Sequence, residues 1–154
     1  MAAQTDRIET DVLIAAPVDR VWQLITSAEH LGRWFGDAGA EIDLRPGGAF
    51  SLTFREHGTF HGRVETVEPT TRFAFRWLST INTQADPAPG NSTLAEFTLA
   101  AEGDATRVAV VESGFDGLDT DLESRHAAFA NHSEGWPKEL GHLADYAVET
   151  AAAR

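Results

Sequence analysis

The chain has no cysteine among its 154 residues. Thiol catalysis, disulfides and cysteine-ligated metals are therefore excluded, and the absence suits a reducing compartment. Cationic residues are scarce: 12 Lys and Arg against 24 Asp and Glu leave a formal charge of −12. A field of that sign repels phosphate backbones and anionic lipid surfaces, so neither nucleic acid nor a membrane is an expected partner. Long hydrophobic runs are missing too. The opening "MAAQTDRIETDVLI" has no basic region leading into an apolar core, so it reads as neither signal peptide nor membrane span, and a cytoplasmic protein is expected. There is no Gly-x-Ser-x-Gly elbow, no phosphate loop and no GxGxxG; "PGGAF" is a turn followed by a strand, not a helix. Hydrolases of the α/β type and nucleotide-binding folds are set aside on that ground.

What is present is an ordinary globular composition, 42% apolar, on a length that suits one domain over residues 1–154. Residues 6–14 alternate Ile8, Thr10, Val12 and Ile14 against charged neighbours, a half-buried strand. Pro17 stands where a helix should begin, and Val18, Val21, Trp22 and Ile25 form one helical stripe. Ser27 is placed to cap a second short helix through about Gly32. From residue 39 the period becomes two and six strands follow, separated by turns such as "RPGG", "EPTT" and "EGD" and by a long polar connection, Ser79 to Ser92. The C-terminal segment is helical, with a helix over 134–150 carrying Trp136, Leu140, Leu143 and Ala147 on one face. Pro137 lacks the N–H of the helix ladder, so a break is expected near Asn131–Glu134 with Ser133 as cap. Strand, two helices, six strands and a long helix make an α+β fold whose antiparallel, curved sheet is covered by the terminal helix.

"IAAPVDRVWQLITSAEHLGRWF", "PGGAFSLTF", "GRVETVEPTTRFAFRW", "VVESGFDGL" and "EGWPKELGHLADY" carry a resemblance. In order and spacing they resemble the START and birch-pollen-allergen (SRPBCC) superfamily of helix-grip folds. More narrowly, they resemble bacterial single-domain relatives of the heat-shock-protein ATPase activators, the AHSA type. The resemblance implies a curved seven-stranded sheet gripping the C-terminal helix, with a cavity between them. It also brings two other expectations, a chaperone partner in a stress response and a cyclase or dehydratase that holds a reactive polyketide in the same cavity.

The chemistry in the residues is concentrated in rings. In "RFAFRW", period two sends Phe73, Phe75 and Trp77 to one face, and each ring can bury ~150–250 Å². Phe50, Leu52 and Phe54 share the inward parity of one strand, Phe60 follows on the next, and Phe97 lies on a later one. The second helix leads into Trp34 and Phe35, while Trp136 and Leu140 belong to the stripe of the last. These residues are read as packing low down and lining a ligand cavity toward its mouth, with the entrance under Ser79–Asn91. Glu112 shares parity with Val108 and Val110, so it faces either the interior or a wet rim at the strand end. His132 lies one turn before Trp136, and the two ionisable groups are the candidates for ligand contact or acid–base catalysis. His57 and His61 sit on a hairpin and read as solvated. The run Asp116, Asp119, Asp121 and Glu123 lacks calcium-loop spacing and suits the positive end of a helix starting near Leu118.

The expected function is binding of a small apolar, aromatic or lipid-like molecule, without metal or cofactor. Chaperone activation and polyketide chemistry stand as alternatives, and a homodimer is left open. A chaperone surface would need exposed apolar residues, and Leu13, Leu78 and Leu94 are the candidates.

Overall fold

The structure, a computed structural model, describes residues 7–83 and 85–152. Asp6, first residue of the strand expected at 6–14, lies outside the described residues. Strand β1 (Arg7–Ile14) leads through Pro17 into α1 (Val18–Thr26), and α2 (Ala28–Trp34) follows. Ser27 occupies the N-cap position of α2, but its side chain makes no capping hydrogen bond. Then come β2 (Ala40–Ile42), β3 (Ala49–Phe54), β4 (Gly58–Glu68), β5 (Arg72–Leu78), β6 (Ser92–Glu102) and β7 (Ala105–Ser113). A short 3-10 turn (Phe115–Gly117) precedes α3 (Leu122–Ala152).

The seven strands form one antiparallel sheet in the order β1-β7-β6-β5-β4-β3-β2. The first strand thus closes against the last, and the hairpins of the meander do the rest. A register shift between Val64 and Thr66 puts a bulge in β4, which bends and twists the sheet locally. Beside it, a Cβ on Gly62 would collide with the Arg76 carbonyl oxygen and come within 2.9 Å of Trp77 Cα. Glycine is what lets β4 lie this close to β5.

Helix α3 corrects the expected break. It runs unbroken from Leu122 to Ala152 with Pro137 inside. An interior proline costs about 3 kcal/mol in lost hydrogen bonding and steric conflict. Buried Trp136, Leu140, Leu143 and Ala147 hold the helix down across that point, so packing outweighs the local penalty. The helix also starts later than Leu118: Asp121 Oδ1 accepts the Ser124 N–H at 2.6 Å, capping the first turn, while Leu118 is buried in the approach to it. At the other end, His30 Nδ1 and the Tyr146 hydroxyl are 2.6 Å apart and pin α2 to α3.

The core lies between sheet and helices. Among the strands, β1 packs most extensively against α3. On the β3–β5 side, large rings bridge the gap. The outer face behaves differently from expectation at one place. Leu13 is exposed and Leu94 half-buried, but Leu78 is only 2% exposed. The connection after β5 folds back against that face, where Asp86 pairs with Arg63 at 2.7 Å and Arg76 Nη1 reaches Ser92 Oγ at 3.2 Å.

Candidate functional site

Inward parity on β7 carries Glu112 toward α3, opposite Ile8 on one side and Ala95 on the other. Its side chain is 0% exposed, so the strand end is interior rather than a wet rim. A buried carboxylate is tolerated only with full hydrogen bonding, and this one has it. Its Oε1 accepts the Trp136 indole N–H at 2.7 Å. Its Oε2 accepts Thr93 Oγ1–H at 2.6 Å and the Trp77 indole N–H at 2.9 Å. His132 Nδ1 lies 2.8 and 2.9 Å from the two oxygens. Burial, the strongest single influence, raises the Glu112 carboxyl, but His132, by charge and hydrogen bond, and the Thr93 and Trp136 donors outweigh it. The group is held below the ordinary carboxyl value.

A carboxylate only accepts, so Nδ1 of His132 carries the proton. Nε2, across the ring, has no protein partner, yet among the described residues no buried side-chain nitrogen or oxygen lacks one. Nε2 is therefore open to solvent. The ring itself is fixed edge-on to Trp77 and Phe115, with centroids at 5.6 and 5.4 Å.

Next to this cluster opens a cavity of about 510 Å³. Phe35, Phe54, Phe60, Trp77 and Trp136 are its aromatic lining. Phe35 is the hub, with ring centroids 5.7 Å from Trp77, 5.3 Å from Trp136 and 6.1 Å from Phe54. His57, Ser79, Asn131, His132 and Glu139 supply polar groups, and Ala128 and Gly135 complete the α3 side. Of the segment expected to overhang the entrance, Ser79 borders this space, and the β3–β4 turn shares the same end.

Of the residues read from sequence as lining, Phe35, Phe54, Phe60, Trp77, His132 and Trp136 are brought together here. Trp34, Phe50, Leu52, Phe73, Phe75, Phe97 and Leu140 are buried outside this lining, and Glu112 lies behind it. Phe75 shows why: it is 0% exposed and stacked on Phe50 at 4.2 Å, so neighbours already fill the space around it. Trp34 is tied by its indole N–H to the Leu24 carbonyl at 2.7 Å.

Sequence reasoning missed Thr93, Asn131, Glu139 and the small residues Ala128 and Gly135. A signal existed for some. Ala128, His132, Gly135, Trp136 and Glu139 follow the i, i+4, i+7, i+8, i+11 pattern of one helical stripe, and Thr93 shares the inward parity of Ala95 and Phe97. Glu139 is half-buried at 3.2 Å from His142 Nδ1. Burial pushes its carboxyl up, the His142 contact pulls it down, Asp37 pushes it up again, and the net direction is upward. His57 is exposed at the cavity rim with its ring edge-on to Phe54 at 6.4 Å, whereas His61 is half-buried on β4. Among the described residues no three His, Asp or Glu side chains are grouped to hold a metal, and no helix is long and apolar enough to cross a membrane.

Solved structures share this architecture. Protein MLL2253 of Mesorhizobium loti is 18% identical, with 94% of this chain and 97% of that one covered at a TM-score of 0.74. The Aha1 dimer of Colwellia psychrerythraea is 20% identical, with 90% and 93% covered at 0.67. At those identities the likeness is one of fold. DynU16, of the dynemicin biosynthetic locus, is 26% identical at 0.70; 95% of this chain is covered but only 48% of that one, so this chain spans about half of it. No curated protein matches. The family model described as Activator of Hsp90 ATPase homolog 1-like protein matches residues 15–147, from the start of the helix pair to the last buried turn of α3. The chain belongs to that family, and its fold is the helix-grip fold.

Proposed function

We propose that this chain binds a small apolar or aromatic molecule in the cavity between β3–β5 and α3. The observation that carries the reading is the lining itself. Five aromatic rings surround a space of about 510 Å³, within the ~300–1,000 Å³ usual for ligand pockets. The indole N–H groups of two of them are tied to one buried carboxylate. Rings held in that way keep their faces presented instead of collapsing into the space.

Titrating aromatic and acyl compounds while following indole emission tests this. Trp22 and Trp34 add background, so variants retaining only Trp77 or Trp136 are read. Binding should change the emission of both. Phe60→Ala, at the wall, should weaken binding with a modest stability loss. Phe75→Ala should instead cost ~3–5 kcal/mol of stability, because it empties filled core. No emission change for any compound of the panel would refute the pocket.

A second reading, an enzyme acting on a polyketide-like substrate in the same cavity, draws support from the Glu112–His132 pair and from the likeness to a protein of a biosynthetic locus. A chaperone-activating role has the family description behind it. The exposed large apolar side chains favour it less. Leu13 is on β1, Leu44 follows β2, and Leu122 and Val148 stand at opposite ends of α3, roughly 39 Å apart along the axis.

A further inference from the structure

We infer that His132 Nε2 is the polar anchor of the cavity and selects a hydroxylated aromatic ligand, a phenol or an enol. The inference rests on the pocket reading above and goes beyond it by naming the ligand's chemistry. Three observations converge on it. Nδ1 is committed to Glu112, so the proton on that side is fixed. The ring is wedged between Trp77 and Phe115 and cannot turn freely away. His132 lines the cavity, and among the described residues its Nε2 has no protein partner.

With the Nδ1 proton directed to Glu112, His132 presents a lone pair at Nε2 whenever it carries no second proton. It wants a donor. An apolar ligand would cover that nitrogen and leave it without its water, which is unfavourable. An ether or ketone offers only an acceptor. A carboxylate would bring negative charge beside Glu112, which faces His132 from β7, and Glu139, which faces the cavity from α3; the only other titratable group on the lining is His57 of the β3–β4 turn. A phenol satisfies the site in either protonation state. Its O–H donates to Nε2, or the proton crosses to Nε2 and leaves a phenolate paired with an imidazolium whose other N–H stays on Glu112. The proton count is the same in both.

Matched pairs test this on the whole chain: 4-nitrophenol against 4-nitroanisole, and 2-naphthol against 2-methoxynaphthalene. In the native protein each phenol should bind about tenfold or more tightly than its methyl ether, the value of one hydrogen bond to an ionisable group. The visible absorbance of nitrophenol reports where the proton resides. His132→Asn keeps an amide N–H for Glu112 and removes Nε2, so the ratio of phenol to ether affinity should fall to about one. Should that variant fold poorly, the ¹⁵N shift of His132 Nε2 in the native protein decides: it must move with the phenol and not with the ether. Equal affinity for phenol and ether, or a preference that survives in His132→Asn, overturns the inference and leaves the pocket standing. Binding of neither member of any pair removes the pocket and the inference together.

Discussion

Replacing Glu112 by Gln keeps the shape of the side chain and changes one oxygen into an NH₂ group. Each carboxylate oxygen faces an indole N–H, Trp136 on one side and Trp77 on the other. An indole nitrogen only donates. Whichever way the new amide turns, its NH₂ meets one of the two indoles donor to donor. A buried donor left unsatisfied costs ~1–3 kcal/mol, and the remaining hydrogen bonds lose their charge assistance. Removing the charge also removes its desolvation penalty, which offsets part of the loss. The net expectation is a destabilisation of about 3 kcal/mol at neutral pH. For a chain of this size that is roughly a 6–12 °C drop in Tm by circular dichroism. The indole bands in the near-ultraviolet should change together, because two tryptophans lose a shared partner. A Gln variant within about 0.5 kcal/mol of the native protein would refute the reasoning, since it would mean that the four donors do not depend on the charge.

The acid limb gives an independent check of the same variant. Folding holds the Glu112 carboxyl below its ordinary value, so the folded state takes up its proton at lower pH than the unfolded chain. The stability it contributes is fully present above the unfolded value, about 4.3, and is lost as pH falls from there through the lower folded value. In Glu112→Gln that part of the acid slope should vanish.

Pro137→Ala restores the N–H that the Ser133 carbonyl lacks and removes an interior helix penalty of about 3 kcal/mol, less roughly 1 kcal/mol of unfolded-chain stiffness that proline supplied. Urea denaturation should show a gain of about 2 kcal/mol. Glu139→Gln runs opposite in sign to Glu112→Gln. Its carboxyl is raised by burial, so the charge disfavours the fold at neutral pH and ceases to do so as pH falls below the unfolded value. The variant should be more stable than the native protein at pH 7 and equal to it near pH 4; a loss at pH 7 would show that the contact with His142 outweighs burial.

The elements were legible because each was announced by a period. Alternation in 7–14 and from 40 onward, and the stripe Trp136, Leu140, Leu143, Ala147, survive into the structure nearly residue for residue. What failed was local rule against distant packing. Pro137 forecasts a break that burial of its neighbours overrides, and Leu78 has outward parity but is covered once the following connection folds back. The site was half legible for a related reason. Parity states that Phe75 and Trp77 share a face, but not that Phe50 stacks on one while the other reaches the cavity. Depth along a face depends on curvature, and curvature comes from the β4 bulge and Gly62, which no alternation pattern encodes.

Glu112 makes sense only as part of a set. Stability alone favours replacing a buried charge by an apolar residue of similar volume, often a neutral or favourable exchange. Here that exchange would strand two indole N–H groups, a threonine hydroxyl and an imidazole nitrogen at once, so no single substitution at Glu112 improves the fold. The four donors come from β5, β6 and α3, and the carboxylate fixes their relative positions across the gap that the sheet's curvature leaves. Trp77 and Trp136 thereby become walls with set orientations, and His132 becomes a ring with one nitrogen occupied and the other free. A core built for stability would have closed that gap with methyl groups; this one holds it open around a nitrogen that still lacks a partner.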